Sequence, residues 1–237
     1  MADEEPVRLN KFIADCGVCS RRQADALIEE GRVTVDGDKA VMGQKVTSMQ
    51  RICVDGKDIQ DDGKTVIIIF NKPAGLVCTT AEDEKNNVVK YINYHRRIYP
   101  VGRLDKDSEG LLIMTNRGDL VNGIMRSRYD HEKEYIVTTY QALNDKFLEA
   151  MAAGVPILET VTKPCKVERL GKYRFRITIT QGLNRQIRRM CQHFGYEVKE
   201  LKRIRIMDIH LGDLPEGEWR MATKAERKML MRYAGLE

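Results

Sequence analysis

The residues best placed to do chemistry lie in VGRLDKDSEGLLIMTN (101–116), where Asp105 stands between Arg103 and Lys106. A free aspartate has a pKa near ~3.9, and adjacent cations favour its ionised form further. Such a group is a poor general acid but a competent nucleophile once desolvated and aimed. Gly102 and Gly110 permit unusual backbone angles on either side of it. The apolar run Leu111-Leu112-Ile113-Met114 predicts a buried strand that anchors the loop. Asp-Lys-Asp loops between strands are common, and taken alone this window reads more readily as such a loop than as a catalytic one.

A second window is QGLNRQIRRMCQHFG (181–195). At helical spacing Ile187, Met190, Cys191 and Phe194 fall on one face, and Arg185, Arg188, Arg189 and Gln192 on the other. Arginines on one side of an anchored helix can pair with a carboxylate and with phosphates together. The alternative is a structural helix with a basic surface. Cofactor and metal chemistries find no motif. The chain contains no G-x-G and no G-x-x-x-x-G-K-[ST] loop. His95, His131, His193 and His210 form no H-E-x-x-H cluster, and Ser108 has neither a nearby histidine nor a glycine elbow. Cys16 and Cys19 make a lone C-x-x-C, and Cys191 with His193 cannot complete a site, so free thiols and no metal are expected. What remains is carboxylate chemistry without a cofactor.

The partner is suggested by charge. The net charge of +5 is mild, but Arg185, Arg188, Arg189, Lys199, Lys202, Arg203 and Arg205 face only Glu197 and Glu200 in one stretch. Lys90, Arg96, Arg97, Arg103 and Lys106 form a second group. Local excesses of this kind suit a polyanion such as nucleic acid, with a solvated face balanced elsewhere as the alternative. A hydrophobic content of 42% beside 32% charged residues describes a soluble globular chain. No apolar stretch approaches a membrane span, and MADEEPVR lacks a signal core, so a cytoplasmic protein is expected.

The elements that must position these residues can be read from periodicity. Leu9, Phe12 and Ile13 predict one short helix; Ser20 with Gln23 predicts a capping box for a second, carrying Ala24, Leu27 and Ile28 and stopped by Gly31. Arg32–Val35 and Arg51–Val54 read as strands, each ending at an Asp-Gly turn. The polar segment 59–64 reads as a linker, which places the division at 1–62 and 63–237. Beyond it, strand-like runs at 65–70, 111–115, 134–139, 173–180 and 202–209 alternate irregularly with helix candidates near 118–126, 144–153, 183–193 and 224–234. Asn144 and Gly154 bracket one helix, Thr223 with Glu226 caps the last, and Leu170-Gly171 marks a hairpin. The expected fold class is α+β, a mostly antiparallel mixed sheet with flanking helices behind a small N-terminal module.

Two resemblances sharpen this reading. VRLNKFIADCGVCSRRQADALIEEGRVTVDG resembles the S4 RNA-binding module, which implies RNA contact by Arg8, Lys11, Arg21 and Arg22. Acids outnumber bases across this opening unit, so the contact is confined to a patch. VGRLDKDSEGLLIMTN, NKPAG (71–75), HEKEY (131–135) and GLNRQIRRM (182–190) resemble the motifs of the pseudouridine synthases. The chain looks like the small-subunit/large-subunit rRNA branch; DHEKEYIV, AGVPILETVTK and RQIRRMCQHFGYEVK look most like F-type enzymes acting on 23S rRNA. The resemblance implies Asp105 as nucleophile, Tyr135 stacking on the target base, and Arg188 holding Asp105 in a salt bridge. It further implies RNA contacts by Arg103, Leu104, Lys106, Arg185, Gln186 and Ile187, and support of the loop by Asn71, Lys72 and Pro73. A 23S rRNA stem-loop, with a tRNA loop as a second substrate, a monomeric state and no cofactor are the accompanying expectations. A non-catalytic RNA-binding protein is the competing reading, and a methyltransferase is disfavoured by the missing Gly-rich loop.

Overall fold

The computed structural model describes residues 5–81, 83–125 and 131–236. The chain parts into two compact units. The first holds the chain up to Val66 with residues 94–98 and 116–118, and the second holds the rest.

In the first unit β1 (Val7–Arg8) leads into α1 (Leu9–Asp15) and α2 (Arg21–Glu29). There follow β2 (Val33–Val35), β3 (Asp38–Lys39), β4 (Lys45–Val46), β5 (Ile52–Val54) and β6 (Lys57–Ile59). Ser20 and Gln23 form the expected reciprocal capping box on α2. A four-stranded antiparallel sheet runs β3-β2-β5-β6, and β1 pairs with β4. Its two Asp-Gly turns have positive φ at both residues (54° and 98° at 36–37, 50° and 74° at 55–56), as tight hairpin turns require. Leu9, Ile13, Ala24, Ile28, Val33 and Ile52 close the core. The stretch read as a linker is partly tied down: Ile59 completes β6, and Arg96 grips the Asp62 carboxylate, holding it well below the usual carboxylate range. Arg96 is thereby withdrawn from the free basic surface.

The second unit runs β7 (Ile67–Lys72), α3 (Val88–Ile92), β8 (Tyr99–Val101), β9 (Glu109–Thr115), α4 (Gly118–Met125) and β10 (Lys133–Thr139). It continues through α5 (Asp145–Ala153), β11 (Pro156–Ile157), β12 (Thr160–Val161), β13 (Lys166–Arg169), β14 (Arg174–Ile179) and α6 (Gln186–His193). The last elements are β15 (Val198–Ile206), β16 (Ile209–His210), β17 (Trp219–Met221) and α7 (Lys224–Ala234). The helix expected near 118–126 is α4; position 126 lies outside the described residues.

The main sheet has the order β13-β14-β10-β15-β9-β7-β17, with β16 beside β15 and β8 beside β9. Its described pairings are antiparallel apart from β15 against β9, so the sheet is mixed and mostly antiparallel, as expected. Residues 67–72 and 110–115 are buried on both faces of the sheet, which explains their near-continuous apolar runs. One face packs Ile67, Ile69, Leu111 and Ile113 against Leu120 and Ile124 of α4 and Leu230 of α7. The predicted strand 202–209 divides in two, because Met207 adopts φ 51° and turns the chain before β16.

Candidate active site

The register of the main sheet sets the site. Lys72 of β7 lies opposite Gly110 of β9, Gly110 opposite Arg203 of β15, and Arg203 opposite Tyr135 of β10. Laterally paired residues share a sheet face, so Lys72, Arg203 and Tyr135 project to one side. Gly110 makes this row possible. Its φ is +100°, and a Cβ there would lie 2.3 Å from the carbonyl oxygen of Arg203. Only glycine allows the two backbones to approach so closely.

The loop carrying Asp105 enters β9 just ahead of Gly110 and is held by its backbone. Gly75 N donates to the carbonyl of Lys106 at 2.7 Å, and Ser108 N donates to the carbonyl of Asp105 at 3.1 Å. Lys72, with no exposed surface, donates from Nζ to the carbonyls of Ser108 (2.7 Å), Pro73 (3.0 Å) and Lys106 (3.4 Å). Arg203, 2% exposed, donates from Nε to the carbonyl of Leu111 (2.8 Å) and from Nη1 to that of Arg103 (3.5 Å); its buried Nη2 has no partner. Leu104 N donates to the Cys78 sulfur at 3.4 Å. Burial pushes the Lys72 amine down from 10.5, an effect that Cys78, Asp107 and Asp105 oppose and Arg203 reinforces. Asn71 braces the neighbouring chain, its Nδ2 donating to the carbonyl of Leu214 at 2.7 Å. The NKPAG segment therefore supports the loop, as its motif implies.

Asp105 is half-buried, and its carboxylate has no hydrogen-bond or ion-pair partner among the described residues. The expected salt bridge to Arg188 is not formed here. Arg188 instead turns to Asp107, with Nη2 donating to its carbonyl at 2.8 Å and Nε 3.4 Å from its carboxylate, while Nη1 reaches the carbonyl of Val198 at 3.3 Å. Arg185 grips the same Asp107 carboxylate with two bonds of 3.0 and 2.9 Å. Hydrogen bonding by Arg185, with the charge of Arg188, holds the Asp107 carboxyl below its ordinary range. The physical reason is competition: a second carboxylate two residues along the loop reaches α6, and Asp105 does not.

Three residues expected at the RNA, Leu104 (7% exposed), Gln186 (4%) and Ile187 (3%), have buried side chains, as Tyr135 (8%) has. Gln186 Oε1 accepts from the backbone of Leu183 and steadies the entry to α6. Arg103, Lys106 and Arg185 are exposed. In the first unit Arg8, Arg21 and Arg22 are exposed, whereas Lys11 Nζ is ion-paired to Asp15 at 2.6 Å. Tyr135 is 8% exposed on the same row as Arg203.

Sequence reasoning counted Arg203 among the cations suited to a polyanion and missed that it is buried beneath the loop. Its signal was a cation at a buried position of a strand: Leu201, Arg203 and Arg205 alternate with Lys202, Ile204 and Ile206, and a charge of that parity beneath a loop calls for a partner.

Among the described residues no group of His, Cys, Asp and Glu gathers as a metal site, and all six cysteines are free thiols. Residues 66–193, which include the whole row apart from Arg203, match the RNA pseudouridylate synthase family. The chain belongs to that family. Residues 7–52 match the S4 domain, in agreement with the first unit's two helices and β-ribbon. The chain is 51% identical over 228 residues to the dual-specificity RNA pseudouridine synthase RluF of Escherichia coli K12, covering 95% of this chain and 79% of that one. It is 35% identical over 236 residues to the ribosomal large subunit pseudouridine synthase B of Bacillus subtilis, covering 96% of each. A solved pseudouridylate synthase superposes with a TM-score of 0.69 at 29% identity, over 94% of this chain and 99% of that one. The fold expectation, an S4 module before a synthase sheet, holds for this pseudouridine synthase.

Proposed function

We propose that this pseudouridine synthase isomerises a specific uridine in a stem-loop of 23S rRNA and accepts a tRNA loop as a second substrate. The observation that carries the chemistry is the unpartnered Asp105 carboxylate on a loop whose carbonyls are fixed from below by Lys72 and Arg203. A nucleophile needs a steady position and a free lone pair; backbone contacts steady this loop, and the Asp105 carboxylate has no partner among the described residues. The substrate range rests on the 51% identity to a dual-specificity relative.

In this reading the target uridine rotates out of its stack, at a cost of a few kcal/mol (roughly). Stacking on Tyr135 returns about 1–3 kcal/mol of that. Asp105 then acts as the nucleophile. The bond from N1 of uracil to the ribose breaks, the held ring turns, and a bond from C5 to the same ribose carbon forms. The proton on C5 passes to water, N1 takes one up from water in its place, and the bond to Asp105 breaks to regenerate the carboxylate, so product and substrate have the same atoms. Arg188 sits within the same assembly as a positioning group, and Arg103, Lys106 and Arg185 face the RNA backbone. Residues 1–62, through Arg8, Arg21 and Arg22, bind flanking RNA, while 63–237 carry the reaction. Among the described residues no helix is long and apolar enough to cross a membrane; the reading places a monomer in the cytoplasm beside its rRNA substrate.

The test is tritium release from RNA labelled at C5 of uridine, using a 23S rRNA stem-loop fragment and tRNA transcripts. Release from the rRNA fragment at one specific uridine, with slower release from tRNA, is expected. No release from either RNA would overturn the reading; release from tRNA alone would reverse its substrate order.

A further inference from the structure

Asp107 and its two arginines are unequal partners. Arg188 is 13% exposed at its side chain and has anchors besides the Asp107 carboxylate, namely the carbonyls of Asp107 and Val198. Arg185 is 42% exposed, and both of its hydrogen bonds end on the Asp107 carboxylate, itself 47% exposed. An exposed pair of this kind contributes little to stability. Its geometry, however, is specific. A guanidinium fork accepts two carboxylate oxygens as it accepts two phosphate oxygens. Arg185 also stands at the head of α6 with φ 50°, and exposed Arg103 and Lys106 on the facing loop have no carboxylate partner among the described residues.

We propose that Arg185 is a seat for a backbone phosphate of the RNA, and that the Asp107 carboxylate fills this seat while RNA is absent. The inference rests on the reading of RNA as substrate. Arg185 exchanges one oxygen pair for another, and Arg188 keeps Asp107 and its loop in place during the exchange. Because the resident carboxylate must be displaced, Asp107 weakens the grip on any phosphate backbone. Selection among RNAs then falls to contacts made by the loop itself.

The experiment measures binding of the full chain to a 23S rRNA stem-loop across a salt series. Tritium release by the unaltered protein on the same RNA serves as a separate check of the substrate reading. Asp107→Asn should bind about 5-fold tighter, and log Kd should depend on log salt more steeply by up to about one unit. In an Arg185→Gln background, Asp107→Asn should change neither affinity nor slope. Unchanged or weaker binding by a folded Asp107→Asn, or the same tightening without Arg185, would overturn the proposal. A measurement on the unaltered protein covers the case in which Asp107→Asn does not fold. The side-chain NMR resonance of Arg185 should shift on RNA addition and that of Arg188 should move far less; a static Arg185 resonance in the RNA complex would overturn the proposal as well.

Discussion

Lys72 and Arg203 are buried cations without a carboxylate partner among the described residues, and both direct N–H groups at carbonyls in or beside the Asp105 loop. Burying such charges costs several kcal/mol each (roughly), so the fold keeps them at the expense of stability. A pH dependence with two opposite signs follows for Lys72. Its folded pKa lies below 10.5 because of burial, so between the two values the unfolded chain binds more protons. The penalty of burying this charge is full below the folded value and is relieved as pH rises toward 10.5. Turnover should move the other way, since a neutral amine loses one of the donors that fix the loop. We expect kcat to fall through that alkaline window while Lys72 adds to the unfolding free energy. Lys72→Met should abolish the stability increment, as read by urea midpoints along the same pH series. A kcat that stays flat through the window would remove the Lys72 charge from the loop's positioning. At this scale the loop of Asp105 and its support by Lys72 were legible because their motifs are local. Arg203 was not, since its carbonyl partners at 103 and 111 lie far away in the chain. The pairing of Arg188 was misjudged because Asp105 and Asp107 are two residues apart in one loop, a difference that sequence spacing does not rank.

The elements that bring these groups together depend on one close contact. Strands β9 and β15 are the parallel pair of the main sheet, and they meet at Gly110 and Arg203. Gly110→Ala would place a methyl 2.3 Å from a backbone oxygen at φ +100°. We expect it to destabilise the protein by about 3 kcal/mol or more and to lower turnover further than stability alone explains, because the row from Lys72 to Tyr135 widens. Urea unfolding and kcat measured side by side check this; an unchanged midpoint would show that the backbones can separate freely. The longer elements were legible from local signals. Ser20 with Gln23 and Thr223 with Glu226 form both halves of their capping boxes, and Asn144 caps α5 by accepting from Phe147 N. The short strands β8, β11, β12, β16 and β17 were not: two or three residues carry little alternation, and these lack the Asp-Gly turns that marked the equally short β2 and β5. The parallel pairing of β9 with β15 was equally hidden, because it joins segments roughly ninety residues apart through tertiary contact alone.

At the scale of the whole molecule, a small S4 unit precedes a synthase unit built around one mixed sheet. Periodicity alone reached an α+β fold with a basic surface, and the four motifs, read as a resemblance, reached the family. Motif order does not show which side chains are buried; Leu104, Gln186, Ile187 and Tyr135 all are. In the proposed mechanism the Asp105 carboxylate is the group that attacks. Its most direct test is single-turnover tritium release by Asp105→Asn on an RNA that the unaltered protein isomerises, with RNA binding measured in parallel. The account predicts that the variant still binds the RNA and releases tritium at least about 10³-fold more slowly. Release at the unaltered rate from RNA that is demonstrably bound would contradict it.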